Sequence, residues 1–245
     1  VNHRRSDVDY SQWGAVEVQK LSKVKRITGQ RLQQAWQTIP HVTQFDTADI
    51  TDLDAYRKAM KKNAMENNIK VTFLPFLMKA VVKVLEEMPQ FNSSLDHSGE
   101  NLVLKHYYHL GVAVDTPQGL TVPVVRDVDQ KSVLELLEAL MDVSTRARNK
   151  KLKPDELKGG TFTISSLGGV GGTYFTPIVN PPEVAILGVS RSHWQAVYDS
   201  VADQITPRYI LPFSLSYDHQ VIDGAAGAAF TSRFAAILED IEQFK

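Results

Sequence analysis

Tyr209-Ile-Leu-Pro-Phe-Ser-Leu-Ser216, followed by Tyr217-Asp-His-Gln-Val-Ile-Asp-Gly224, is the stretch on which the reading of the chain turns. Residues 209–216 have the pattern of a buried strand. From Gly224 onward Phe230, Phe234, Ile237 and Leu238 return at helical spacing, which predicts a terminal helix. A strand running through a short loop into a helix is an α/β unit, and such junctions present side chains to a cleft. The loop holds His219 between Asp218 and Asp223. An imidazole titrating near neutrality takes a proton and later returns it, which makes His219 a candidate general base. Asp223 has two compatible uses, supporting the histidine and capping the helix that follows.

A metal reading of the same loop fails on spacing. His219 and Asp223 are four apart and share a face only within a helix, whereas this segment precedes one. No second histidine is spaced to complete a zinc set, so no metal is expected.

Outward from this loop the chain alternates between helical and extended patterns. Leu21, Val24, Ile27, Leu32, Ala35 and Trp36 approximate a helix that Pro40 ends, and residues 41–46 alternate like a strand. Thr51 opens a helix with Asp54 at capping-box distance and Leu53, Tyr56 and Met60 on one face. Residues 72–88 form a strongly apolar helix with Pro75 in its first turn. Strands are expected at 102–104, 109–114, 120–125, 161–165 and 184–189. Ser132 and Glu135 form a capping box for a helix with Leu134, Leu137 and Leu140 inward. No internal repeat or regular βαβ succession is present, so one α/β domain with a mixed sheet is expected over residues 21–245, preceded by an arm and linker remnant at 1–20.

Composition narrows the function classes. The chain has 245 residues, 43% of them hydrophobic, and a formal net charge of −1, so no global basic field gathers nucleic acid. Arg146, Arg148, Lys150, Lys151 and Lys153 cluster locally; they suit the carbonyl end of a helix, and a nucleotide phosphate could use them too. Cysteine is absent, so any thiol in the chemistry arrives with a substrate. No apolar run reaches the roughly 18 residues of a membrane span, and no membrane partner is expected. The chain begins at Val1, which suggests a fragment or a processed form.

A second candidate feature is Gly160-Thr-Phe-Thr-Ile-Ser-Ser-Leu-Gly-Gly169, a strand running into hydroxyls and glycines. A serine there could donate to a developing oxyanion, act as a nucleophile, or simply cap a turn. The glycines that follow lack the Lys-Ser/Thr of a phosphate loop and the spacing of a dinucleotide fingerprint.

Taken together, these segments resemble the dihydrolipoamide acyltransferases, the acyl-transferring components of 2-oxo acid dehydrogenase complexes. His219-Gln-Val-Ile-Asp-Gly224 matches their His-x-x-x-Asp-Gly motif, which chloramphenicol acetyltransferase shares. Leu21-Ser-Lys-Val-Lys-Arg-Ile27, residues 40–46, residues 115–124, residues 162–169 and residues 175–188 resemble further family blocks, so the likeness covers nearly the whole chain. Gln220 stands where the family usually has arginine.

The resemblance implies a chloramphenicol-acetyltransferase-like two-layer sandwich, a mixed β-sheet with helices packed on it. It implies homotrimers built into a hollow core of 24 or 60 chains, with 24 expected, and an active site between subunits. It also implies acyl transfer between dihydrolipoamide and coenzyme A, with His219 as base, Ser165 as oxyanion donor and Asp223 as loop support. Asp115 lies in a block near the coenzyme A site. The blocks most resemble bacterial acetyltransferases of the pyruvate dehydrogenase complex; branched-chain or succinyl transfer and a trimeric antibiotic acetyltransferase are the alternatives. In the family the lipoyl group rides on a separate domain, and E1 and E3 components bind through other regions. No lipoyl-lysine or peripheral-subunit-binding segment is recognisable here. The expected location is the bacterial cytoplasm, or the mitochondrial matrix in a eukaryote.

Overall fold

The computed structural model describes residues 8–64, 71–117 and 119–245. Among these residues there are five α-helices and eleven strands, seven of which form one mixed sheet. Its backbone is β11 (Gln204–Asp218), a strand of 15 residues that pairs antiparallel with β1 (His41–Asp49), β9 (Ala185–Val189) and β10 (His193–Asp199). Beyond β9 come β8 (Phe162–Ser166) and β4 (Leu110–Val112), running parallel to β9 and to each other, and then β7 (Val124–Val125). Two short hairpins stand apart, β2 (Ser93–Leu95) with β3 (Leu102–Leu104) and β5 (Val114–Thr116) with β6 (Gly119–Thr121).

The helices α2 (Thr51–Ala64), α3 (Leu74–Glu87), α4 (Val133–Arg148) and α5 (Gly224–Glu239) contribute to one large core that includes the sheet. Alternation along each strand divides the sheet's two faces. Phe162 stacks on Phe230 of α5, and Phe213 meets Phe234 edge-on. The opposite face carries Thr163, Ser165, Gly188, Ser214 and Ser216. It is covered by the chain after β8, where the Phe175 ring lies so close to Gly188 that an added Cβ would come within 2.8 Å. Helix α1 (Lys23–Thr38) adds a small second cluster there, Ala35 and Ile39 against Val179 and Ile186. This is the α/β domain with a mixed sheet that the residue pattern predicts and the sandwich that the family resemblance implies.

Several local expectations are corrected. Helix α1 starts at Lys23 behind a Ser22 cap rather than at Leu21; of the apolar positions that marked it, only Ala35 is buried, and Leu21, Val24, Ile27, Leu32 and Trp36 are exposed. At α2 the cap is Asp49, whose Oδ1 accepts from the Thr51 N–H at 3.0 Å, while Asp54 pairs with Arg57 and Lys58. The Ser132–Glu135 capping box is present, but Leu134 points outward at 48% exposed and Leu136 takes its place in the core. The segment expected as one strand at 109–114 is split into β4 and β5, and that at 120–125 into β6 and β7, with Pro123 in the gap. The exposed strand β10 carries no buried alternation, so the sequence gives no sign of it.

Candidate functional site

His219 follows directly on β11. Its loop is built from backbone: the Asp218 carbonyl accepts from Val221 and Ile222 N–H, each at 3.0 Å. The Asp218 side chain accepts from the Gln220 N–H at 2.9 Å and its amide at 3.1 Å. His219 itself is exposed, and its N–H donates to the Pro40 carbonyl at 3.1 Å. Gln220 also reaches the Thr38 carbonyl at 3.4 Å, so it ties the loop to the end of α1 through neutral hydrogen bonds. Asp223 is the N-cap of α5, accepting from Ala226 N–H at 2.8 Å. Of the two uses expected for it, the cap is the one this geometry displays.

Behind the loop, Tyr217 is fully buried against Gly227 of α5, where a Cβ would come within 2.6 Å of its ring. Beside it His41 stacks on Trp36 with centroids 5.3 Å apart and hydrogen-bonds through Nδ1 to the Ile39 carbonyl at 2.9 Å. His41 faces Asp218 in the β1–β11 register. These contacts leave the His219 ring on a rigid support at the molecular surface.

Ser165 lies elsewhere. It is half-buried in β8 opposite Gly188 of β9, and Gly188 in turn lies opposite Ser214 of β11. From Ser214 to His219 is a further five residues, about 16 Å along the strand at ~3.3 Å per residue. β8 and β11 run in opposite directions, so Ser165 is near one end of the sheet and His219 is at the other. Within one chain the two side chains cannot share a reacting atom.

A cavity of about 540 Å³ opens at the Ser165 end, between α3, α4 and the β4–β5 strands. Asp115, Ser144, Arg148 and Ser166 are among its polar groups, and Leu137, Leu140 and Met141 form part of its apolar wall. Ser166, the neighbour of Ser165, faces this cavity, and Asp115 lines it as well. The basic cluster is divided. Arg146 is bound to Asp142 at 2.7 Å and Glu156 at 2.6 Å, and these partners raise its already high pKa further, whereas Arg148 lines the cavity. The cavity wall was not legible in the sequence, because its residues come from separate segments whose periodicity reports only burial. Among the described residues no group of three His, Cys, Asp or Glu side chains could hold a metal, and no helix is long and apolar enough to cross a membrane.

Known proteins share this architecture. The chain is 53% identical over 235 residues to the dihydrolipoyllysine-residue acetyltransferase component of the pyruvate dehydrogenase complex from Pseudomonas aeruginosa, covering 96% of this chain and 43% of that protein. The chain thus spans about two-fifths of the length of that curated relative. Its fold superposes with a TM-score of 0.95 and 50% identity, over 98% of both chains, on Azotobacter vinelandii dihydrolipoamide acetyltransferase, a structure concerned with a serine, a histidine and an asparagine in the catalytic mechanism. The same figures hold for the cubic core of the pyruvate dehydrogenase multienzyme complex. Chloramphenicol acetyltransferase, at 15% identity and a TM-score of 0.52 over 88% of this chain and 94% of its own, shares the fold. The family model for the catalytic domain of 2-oxoacid dehydrogenase acyltransferases matches residues 14–245, seven residues before the expected domain start at 21. This chain belongs to the 2-oxoacid dehydrogenase acyltransferase family, in its catalytic domain.

Proposed function

We propose that this domain transfers an acetyl group between dihydrolipoamide and coenzyme A, as the acetyltransferase of a pyruvate dehydrogenase complex. The observation that carries the reading is the presentation of His219, exposed on a loop fixed by backbone hydrogen bonds, in a chain half identical to dihydrolipoamide acetyltransferase. The acceptor thiol gives its proton to the His219 imidazole and its sulfur attacks the thioester carbonyl. The Ser165 hydroxyl donates to the tetrahedral oxyanion. When the intermediate collapses, the C–S bond to the leaving thiol breaks and His219 returns the proton to that sulfur. Charge and protons balance without an acyl-enzyme.

Since Ser165 and His219 of one chain lie at opposite ends of the sheet, each active site takes its histidine from one subunit and its serine from a neighbour. That reading accords with assembly into trimers and a 24-chain cubic core. Asp223 shapes the loop by capping α5. The cavity at Asp115 and Arg148 receives the pantetheine-like arm of coenzyme A, with Arg148 available to a phosphate. The lipoyl thiol arrives on a separate lipoyl domain, and E1 and E3 bind outside this chain. The bacterial source of the relatives supports a cytoplasmic setting.

The test is acetyl transfer from acetyl-CoA to dihydrolipoamide. His219→Ala is expected to lower kcat by about 10²–10⁴-fold, the range for loss of a general acid–base. Turnover near that of the unaltered chain would refute the assignment.

A further inference from the structure

Residues 178–184 form an arch that the mechanism above does not use. Its ends are hydrogen-bonded to both strands that carry the His219 loop. The Val179 N–H donates to His41 Nε2 at 3.0 Å, and the Val184 carbonyl accepts from the Asp218 N–H at 2.8 Å. His219 is the next residue, itself bonded to Pro40 beside His41. The backbone of His219 is therefore tied to Pro40 at the start of β1 and, through Asp218, to the arch.

One carboxyl is buried in this arch. Glu183 is 5% exposed. It accepts from Thr163 Oγ1 on β8 at 2.6 Å and lies 3.5 Å from the Asn180 amide. Gly160 makes room for it, because a Cβ there would come within 2.9 Å of Oε1. The preceding Pro182 carbonyl accepts from Ser94, which in turn accepts from Lys105 Nζ at 2.7 Å. With one short donor and tight walls, the pocket suits the shape of a carboxyl but offers little to a full charge.

We propose that Glu183 is a positioning residue for His219: its buried carboxyl fixes the arch, and the arch fixes the loop that presents the imidazole. This rests on the reading of His219 as the base. Burial pushes the Glu183 carboxyl up to about 7, against the opposing pull of Thr163, Asn180 and the Lys105 cation. Lys105 is the charged group coupled to it, and burial holds that ammonium below its ordinary pKa. On the loop side the titratable neighbours of the arch are His41, Asp218 and His219. As pH rises through about 7 the arch acquires a buried negative charge, and the support under His219 loosens.

Steady-state kinetics of the assembled protein test this. Glu183→Ala is expected to lower kcat about tenfold or more with each KM changed less than about twofold, and Glu183→Gln to restore most of it. The kcat–pH profile of Glu183→Gln is expected to lack an inflection near 7 that the unaltered protein shows. A superimposable profile, or full kcat in Glu183→Ala, overturns the proposal; if Glu183→Ala does not assemble, the Glu183→Gln profile decides alone. Carbethoxylation of His219 by diethylpyrocarbonate, followed by peptide mass, reads the same coupling without turnover. Its rate is expected to track the ionisation of Glu183 in the unaltered protein and not in Glu183→Gln. Full turnover in His219→Ala with this coupling intact would sink the functional reading alone. An inactive His219→Ala whose parent shows no coupling would sink the positioning role alone.

Discussion

At the scale of single residues, the same buried carboxyl has a consequence for stability that is separate from catalysis. Its folded pKa is raised to about 7 from an ordinary carboxylate value of 4.5, so between those two values the folded state holds a proton that the unfolded chain has released. Stability from this group is therefore fully present below about pH 4.5 and is lost as pH climbs through 7, the reverse of an ion-paired aspartate. The magnitude is on the order of 3 kcal/mol, at ~1.4 kcal/mol per unit. Urea denaturation at pH 5 and pH 8 is expected to show a smaller fall for Glu183→Gln than for the unaltered protein. Equal falls would contradict the buried, protonated carboxyl. Gln220 belongs to this scale too. Its side chain occupies both Asp218 and the Thr38 carbonyl with neutral hydrogen bonds, which tie the loop to the end of α1.

At the scale of elements, the junction of β11 and α5 is set by a close approach. Tyr217 is buried where Gly227 leaves no side chain, and the Cβ of Gly227→Ala would meet its ring at 2.6 Å. Strand end or helix must then move, with a cost of about 1–3 kcal/mol typical of overpacking. Because Tyr217 is two residues before His219, kcat is expected to fall together with the melting temperature; a lowered melting temperature with unchanged kcat would show that the loop is insulated from α5. How much of this was readable from sequence differs by element. β8, β9, β11 and α5 announced themselves because they are buried by their own chain, and burial leaves apolar runs. Helix α1 was found by the same apolar spacing, but in the single chain that stripe is largely uncovered: Trp36 is 61% exposed and only Ala35 is buried. The Thr51 helix was placed correctly while its cap was not, since Asp49 and Asp54 are both near enough in sequence and only geometry separates them. The cavity left no periodic signal, being assembled from residues distant in the chain, and the Glu183 arch is an irregular segment whose supports on Thr163, His41 and Asp218 lie far from it in sequence.

At the scale of the whole molecule, the fold separates the two halves of the chemistry that its sequence motifs bring to mind together. The serine and the histidine lie about five strand residues apart along the sheet, at ends that face different directions. On the proposed reading, a monomer so built is half of two active sites. Exposed aromatic side chains accompany this division: Phe45 and Tyr174 pack edge-on against each other, and Trp36 stands out from α1. Such a surface is expected to lie against another copy. Complementation tests this directly. His219→Ala and Ser165→Ala chains, each nearly inactive alone, are co-expressed and purified as one assembly. At equal amounts and random mixing, about a quarter of interfaces pair an intact histidine from one chain with an intact serine from its neighbour. Acetyl transfer is therefore expected to return to about a quarter of that of the unaltered assembly, while the two variants purified separately and then combined without subunit exchange stay inactive. If each site lay within one chain, no combination of these variants would contain an intact site, and co-expression would restore nothing.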